Sequence, residues 1–352
     1  MNNEQIEKIE KSVQNLKTKN NKIYFLVQDT KGNAKASIAY IYNMAMALKD
    51  DNFNVVMLHE KNDYYGVSSW LGSEYMELPH THIEGQNLQI APEDFLVIPE
   101  IYGFVMEQVS KLPCGKIVLT QAYDYILETL QPGQSWPLLG FHKCITTSNM
   151  LKEHLENVMR NVSYDIVKPY ISDDFSKQVL PNKPIIAIHT RDQRDTLNLI
   201  KAFYLKFPQY RWVTFKDLRG LSQTQFAEEL KNCFISVWID ETSSFGTFPL
   251  ESMKTGIPVV GLVPHIIPEW MNEDNGMWIN NKTQVVDYLA DYIQNWMEDN
   301  INEKIYTEME TTISGLQTKE NFYSEVKTLF NDYINKRATS FEEQLNKLQE
   351  VE

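Results

Sequence analysis

Two guanidinium groups, Arg191 and Arg194, stand three residues apart directly after the apolar run 184–190. Planar, permanently charged donors beside a strand end suit a diphosphate, which they can grip bidentately. Asp192 and Asp195 interleave with them, so a solvated salt-bridge cluster is the competing description. Further along, Ser243–Gly261 (SSFGTFPLESMKTGIPVVG) reads as a turn, a helix, a second turn and a strand. Phe245-Gly246 makes a tight loop, and the missing side chain of Gly246 lets backbone approach a ligand. Thr247 fits the helix N-cap, and Pro249 fits the first turn, where an absent N–H costs nothing. The N–H groups of Gly246, Thr247 and Phe248, with the positive end of the helix dipole, make an anion site. Glu251, about one turn inside, can accept hydrogen bonds from a pair of hydroxyls. A ligand carrying both a phosphate and a sugar diol meets both demands: a nucleotide. A plainly capped helix with a surface glutamate has the same pattern.

A sheet is needed to hold these groups. Gly256 is placed to end the helix, Ile257–Val260 is a short apolar run of the buried-strand kind, and Phe234–Ile239 is strand-like too. PIIAIHT (184–190) is another buried-type strand, followed by a helix whose packing face is expected at Leu197, Ile200, Ala202, Phe203 and Leu205. RWVTFKD (211–217) is the next strand, and Lys216 on it can reach a nucleotide. A single helix, 224–231, then leads to Phe234.

The N-terminal half repeats this grammar. Ile6, Ile9, Val13 and Leu16 give residues 1–20 the spacing of an amphipathic lead-in helix. Strands are expected at 22–28, 54–59, 94–99, 116–121 and 143–147, and helices at 37–49, 102–111 and 150–160, the last capped by Ser148. Gly32 stands in the first strand-to-helix loop, a usual phosphate or substrate position, although no dinucleotide fingerprint is present. Tyr123 and Asp124 follow the strand at 116–121. Ligands of open α/β sheets collect at such strand ends, so the two form a candidate acceptor-side cluster; a surface turn is the alternative. The Pro- and Asp-bearing segment 164–175 suits a linker, 283–297 an amphipathic helix, and 319–352 one or two long helices.

The stretch around Glu251 resembles the signature of retaining glycosyltransferase family 4 (glycosyl transferases group 1), which has the two-domain GT-B fold. Phe245, Gly246, Glu251, Met253, Gly256, Pro258, Val259 and Val260 carry the likeness, while Ser243 stands where the family has the first of two glutamates. The resemblance implies an α/β chain of two doubly wound, Rossmann-like domains with a cleft between them. After the helix 1–20 would come an acceptor-side domain (21–170), a nucleotide-sugar donor-binding domain (171–318) and C-terminal helices (319–352) crossing back to the first. It assigns Glu251 to the nucleotide ribose and residues 240–244, Ser243 and Ser244 among them, to the neighbourhood of the donor sugar. Leu199-Ile200 and Ala202-Phe203 align so that Arg194 falls at the family's phosphate-binding Lys and Arg191 at its upstream Arg. Gly32-Asn33 resembles the family's Gly-Gly loop, and Pro264-His265 the loop that faces the donor sugar. The interval 217–234 is shorter than in the family by a strand and a helix.

The implied activity is transfer of a hexose or pentose, with retention, from a nucleotide diphosphate sugar to an acceptor hydroxyl. Arg191, Arg194 and the N–H groups of 246–248 would stabilise the departing diphosphate, with no metal and no cofactor beyond the donor. Ser243, the short second domain and the single loop glycine equally suit a non-catalytic nucleotide-sugar-binding or scaffold protein. A glycosyltransferase acting on hydroxylated bases in DNA is a third reading, since some enzymes of the GT-B fold act so; base modification requires access to an extruded base. The acceptor could be a saccharide, a lipid-linked sugar, a protein or modified DNA.

Composition bounds these readings. The 352 residues suffice for two domains, and 43% apolar content is ordinary for a globular chain. A net charge of −14 argues against a generic polyanion-binding surface. Cys114, Cys144 and Cys233 are far apart and lack metal-ligand spacing, as expected of idle thiols in a reducing cytoplasm. No run approaches the roughly twenty apolar residues of a membrane helix, and the N-terminus is polar rather than signal-like.

Overall fold

A computed structural model describes residues 2–177 and 183–350. Met1 of the expected lead-in helix, residues 178–182 of the expected second domain and residues 351–352 of the expected tail lie outside them. The chain divides into two compact units, one of residues 1–147, 152–168 and 320–352, the other of 148–151 and 169–319.

The first unit is built on a seven-stranded parallel sheet in the order β3-β2-β1-β4-β5-β6-β7. Its strands are β1 (Lys22–Leu26), β2 (Asn54–His59), β3 (His80–His82), β4 (Phe95–Pro99), β5 (Gly115–Thr120), β6 (Lys143–Thr146) and β7 (Ser163–Ile166). The helices are α1 (Asn2–Lys17), α2 (Ala36–Lys49), α3 (Gly103–Gln108), α4 (Asp124–Thr129) and, from residue 152 on, α5 (Asn149–Val158), at whose start the Ser148 hydroxyl accepts the Leu151 N–H at 3.1 Å. The C-terminal helix, Lys319–Gln349, packs on this unit. Phe330 meets Phe25 of β1 (centroids 5.9 Å apart), Phe322 meets Tyr40 of α2 (5.8 Å), and the Tyr333 hydroxyl donates to Asp165 of β7 at 2.6 Å.

The second unit holds a five-stranded parallel sheet in the order β12-β11-β10-β8-β9. Here β8 is Ile185–Thr190, β9 Thr214–Asp217, β10 Ile235–Ile239, β11 Val259–Leu262 and β12 Met277–Ile279. Its helices are α6 (Gln193–Lys206), α7 (Gln223–Lys231), α8 (Thr247–Lys254), α9 (Val285–Met297) and α10 (Glu303–Ser314). Alternation along β8 assigns the faces, because successive side chains of a strand point oppositely. Ile186 and Ile188 pack with Leu199 and Phe203 of α6 and with Leu289 and Ile293 of α9. Ala187 packs on the other face with Leu230 of α7, Phe248 and Met253 of α8 and Met309 of α10. A single helix, α7, joins β9 to β10, so β8 separates the edge strand β9 from the strands that follow. This order reverses direction between β8 and β10, and the crevice at such a reversal is where doubly wound sheets bind ligands.

Several expectations need correcting. The stripe of α6 facing the sheet is Thr196, Leu199 and Phe203, with Ile200 half-buried beside it; Leu197 and Leu205 are 50% and 83% exposed, and Ala202 is exposed. The helix carries apolar residues around most of its girth, and the buried set follows the 196/199/203 spacing that admits Thr196. Thr247 is the first helical residue rather than the cap, because Gly246 takes the cap position in the left-handed region at φ 73°. β3, α4, β12 and α10 have no counterpart in the sequence reading, and the start of the expected linker 164–175 is instead the strand β7, paired with β6. No helix among the described residues is long and apolar enough to cross a membrane.

Candidate functional site

The carboxyl ends of β8 and β10 lie side by side, Thr190 opposite Ile239. The next residue on each strand closes a charged pair: Arg191 Nε and Nη2 donate to the two oxygens of Asp240, both at 2.9 Å. Asp240, whose side chain is only 10% exposed, also accepts the backbone N–H groups of Thr242 (3.0 Å) and Ser243 (3.3 Å). Ser243 Oγ in turn accepts the Gly246 N–H at 3.1 Å. Arg191 is thus linked through one carboxylate and two backbone steps to the start of α8. The Ser243 hydroxyl thereby fixes the turn that leads into α8.

Gly246 is held tightly. A Cβ there would come within 2.8 Å of the Trp270 ring and 3.3 Å of Trp238, and Trp270 Nε1 donates to the Phe245 carbonyl at 2.6 Å. The bare α-carbon therefore makes room for tryptophan packing on that side, rather than for a ligand. No side chain caps α8, which leaves the N–H groups of its first turn pointing into the 240–246 loop. Ser244 is 1% exposed, and its hydroxyl has no hydrogen-bond partner among the described residues.

Glu251 shares a helical stripe with Thr247, one turn away, and side chains on a helix lean toward its N-terminus. Its carboxyl is half-buried and has neither a hydrogen-bond nor an ion-pair partner among the described residues. Burial alone pushes its pKa up to about 8. An acid without a partner in such surroundings is poised to receive one.

His189, one residue before the end of β8, stacks on Phe248 of the first turn of α8, with centroids 4.9 Å apart and planes at 21°. Burial lowers its pKa, partly opposed by Asp240 and Asp217. It faces the α7/α8 side of the sheet and is a site residue that the sequence reading missed. Its one signal was a polar side chain interrupting an otherwise apolar strand.

Of the remaining expected residues, Arg194 and Lys216 are engaged by carboxylates of their own, and His265 joins the arrangement through its backbone. Arg194 turns back to Asp192, the N-cap of α6, through Nε (3.1 Å) and Nη2 (2.9 Å), and its side chain is 86% exposed. This is the salt-bridge alternative that the interleaved aspartates had left open. Lys216 pairs with Glu229 of α7. His265 is exposed, though its backbone N–H donates to the Glu241 carbonyl at 2.7 Å and ties its loop to the 240–243 turn. Among the described residues no group of three His, Cys, Asp or Glu side chains is arranged to hold a metal ion.

In the first unit, Gly32 has φ 80° in a turn where the Asn33 N–H donates to the Thr30 carbonyl at 3.1 Å, and the space beside its α-carbon is nearly open. Tyr123 lies edge-on to His154 at 4.2 Å, and Asp124 begins α4. The loop carrying them is fastened by Glu100, a residue the sequence reading passed over. Its carboxylate accepts the N–H groups of Gln121 (2.9 Å) and Ala122 (2.8 Å), and burial raises its pKa to about 7.

No family model matches the sequence, and no curated protein matches it either. Solved structures match the fold at low identity. HepE from Anabaena, solved in complex with UDP-glucose, is 12% identical with a TM-score of 0.64, over 88% of this chain and 99% of that one. TarM from S. aureus, solved with UDP and other ligands, is 9% identical with a TM-score of 0.60, over 88% of this chain and 100% of that one. Sucrose-phosphate synthase from Thermosynechococcus elongatus is 14% identical with a TM-score of 0.57, over 94% of this chain and 100% of that one. With its two parallel sheets and their helices, the chain has the GT-B architecture of these glycosyltransferases.

Proposed function

We propose that this protein is a glycosyltransferase that moves a sugar from a nucleotide diphosphate sugar to an acceptor hydroxyl, with the second unit holding the donor. The observation that carries this reading is the carboxyl of Glu251: half-buried, without a partner among the described residues, and one turn from an uncapped helix start tied to Arg191. A ribose diol would satisfy the carboxyl, and a diphosphate would satisfy the helix start, in the field of the Arg191 guanidinium that Asp240 orients. HepE was solved with UDP-glucose and TarM with UDP, which makes UDP-sugars the first donors to test.

The chemistry asked of these groups is electrostatic. As the anomeric C–O bond breaks, charge builds on the departing diphosphate. Arg191 and the N–H groups of Thr247 and Phe248 are fixed before the reaction, so they stabilise that charge without reorganising. They can do so without a metal ion, and turnover is expected to survive a chelator. His189, kept neutral by burial, can donate a hydrogen bond to the same anion. Retention of configuration, through front-face attack assisted by the leaving group, follows from the family resemblance, as does a donor-phosphate role for Gly32; the few scattered cysteines suit a cytoplasmic setting, and the sheet-end position of Tyr123 and Asp124 suits an acceptor side on the first unit.

The test is calorimetric titration with UDP-glucose, UDP-N-acetylglucosamine, ADP-glucose and GDP-mannose, followed by measurement of nucleotide release with and without EDTA. At least one donor should bind and be slowly hydrolysed, and Arg191→Ala should lower turnover by about 100-fold, the scale of losing one preorganised donor. If none of the four binds, the reading fails. A second reading, a nucleotide-sugar-binding protein without transferase activity, draws on Ser243, whose hydroxyl is engaged by the Gly246 N–H. Binding without any hydrolysis or transfer would favour it.

A further inference from the structure

The carboxyl edge of the second sheet carries another guanidinium that sequence pattern did not select. Arg219 lies just past β9 in the turn 217–220, and Asp217 builds that turn. Its carboxylate accepts the Arg219 backbone N–H at 3.1 Å and Nε at 2.9 Å, and also pairs with Nη2. Gly220, at φ 77°, lets the chain double back toward α7. Because Asp217 stands opposite Ile188 in the β8–β9 register, this turn comes level with the end of β8, where His189 and Arg191 are. The His189 ring accordingly lies in the field of Arg191 and Arg219, and of Asp217 and Asp240.

The faces of the sheet separate the two candidates for a second cation. The α8 start, Phe248 and His189 lie on the side covered by α7 and α8, and the 217–220 turn leads into α7. Arg194 heads α6, which packs on the opposite face. Asp217 occupies the Nε and Nη2 edge of Arg219, so Nη1 keeps its donors unengaged among the described residues, and the side chain is 33% exposed. A guanidinium gripped along one edge and open along the other is fixed in orientation yet able to bind an anion.

We propose that Arg219, oriented by Asp217, is the second guanidinium of the diphosphate site, facing the start of α8 across His189. This rests on the nucleotide-sugar reading and deepens it. Arg191 approaches the diphosphate from the β8/β10 crevice, and Arg219 from the β9 side of the same face. Asp217 is a positioning residue. Asp240 balances Arg191, and Asp217, with Asp192 farther off, balances Arg219, so the site carries little net charge.

The experiment titrates wild type, Arg219→Ala, Arg219→Lys and Arg194→Ala with UDP and with uridine, and records the melting temperature of each variant. Arg219→Ala should weaken UDP binding by about 10- to 100-fold and leave uridine binding within about twofold, because only the phosphates lose a partner. Arg219→Lys should recover part of the loss by restoring the charge without the fork. Arg194→Ala should weaken UDP less than Arg219→Ala. UDP binding by Arg219→Ala equal to wild type, or equal losses for UDP and uridine, would overturn this assignment alone. If wild type binds none of UDP, ADP and GDP, the nucleotide-sugar reading and this inference fall together.

Discussion

Replacing Glu251 by Gln tests whether the carboxyl at α8 is held in an environment meant for a ligand. In the folded chain burial raises its pKa to about 8, against a reference of 4.5. Between those values the folded state keeps a proton that the unfolded state has released. Stability therefore falls as pH rises through that window, and the loss is complete above the folded pKa. A separation of about 3.5, at about 1.36 kcal/mol for each unit of pKa, sets a ceiling of about 5 kcal/mol. The carboxyl is only half-buried, so solvent reduces this, and about 2–5 kcal/mol is the expected range. Gln has nearly the same shape and is neutral at every pH, so Glu251→Gln should lose this pH dependence.

The assay is thermal melting of both proteins from pH 4.5 to 9 at constant ionic strength. The two should melt within a degree or two of each other at the acid end. Glu251→Gln should then pull ahead as pH rises, with its lead levelling off near pH 8 to 9. For a unit of about 150 residues, each kcal/mol moves the midpoint by about 2–4 °C, so a lead of roughly 4–20 °C is expected for the transition of the second unit. A constant difference at all pH values, or a wild type that gains on the variant with rising pH, would refute the claim that Glu251 is desolvated and unpaired.

Two further outcomes check the frame around the site. Phe203→Ala, which empties a fully buried position on α6, should cost about 3–5 kcal/mol in denaturant unfolding, whereas Leu205→Ala, 83% exposed, should stay within about 0.5 kcal/mol. Gly246→Ala should cost at least about 1–2 kcal/mol, because φ 73° disfavours an L side chain and its Cβ would meet Trp270 at 2.8 Å; a variant as stable as wild type would show that the tryptophan clamp is loose.

Much of the architecture is legible along the chain because its strands are short runs of β-branched and apolar residues bounded by polar turns. β2 and β10 stand out in this way, and α8 announces itself through Pro249 near its start and Gly256 just past its end. β3, a His-Thr-His segment at the sheet edge, carries no apolar signal, so its pairing with β2 is decided by tertiary contact. The phase of α6 is not legible in the sequence because Leu197 and Leu205 mimic a packing stripe, while the true stripe includes a threonine whose hydroxyl lies 2.6 Å from that of Thr190. Arg191 and Glu251 were visible as residue types at telling positions. His189, Arg219 and Glu100 were not, because their significance depends on which strand ends adjoin.

That dependence has a physical logic in the second unit. With α7 as the only element between β9 and β10, the sheet order places β9 at the edge beside β8, and β10 on the other side of β8. Strand ends from three separate parts of the sequence, at 190, 217 and 239, therefore converge on one short edge. Each is followed within two residues by a charged side chain that its neighbours hold by hydrogen bonds: Arg191 on Asp240, Arg219 on Asp217. The helix leaving β8 descends on one face, and the helices leaving β9 and β10 descend on the other. A cation on the β9 turn thus shares its face with the α8 start, while a cation on the first turn of α6 does not. Sequence spacing makes Arg194 look like the partner of Arg191, whereas strand order gives that place to Arg219. A loss of UDP affinity in Arg194→Ala that exceeded the loss in Arg219→Ala would mean that the helix start, and not the strand order, decides where the phosphates lie.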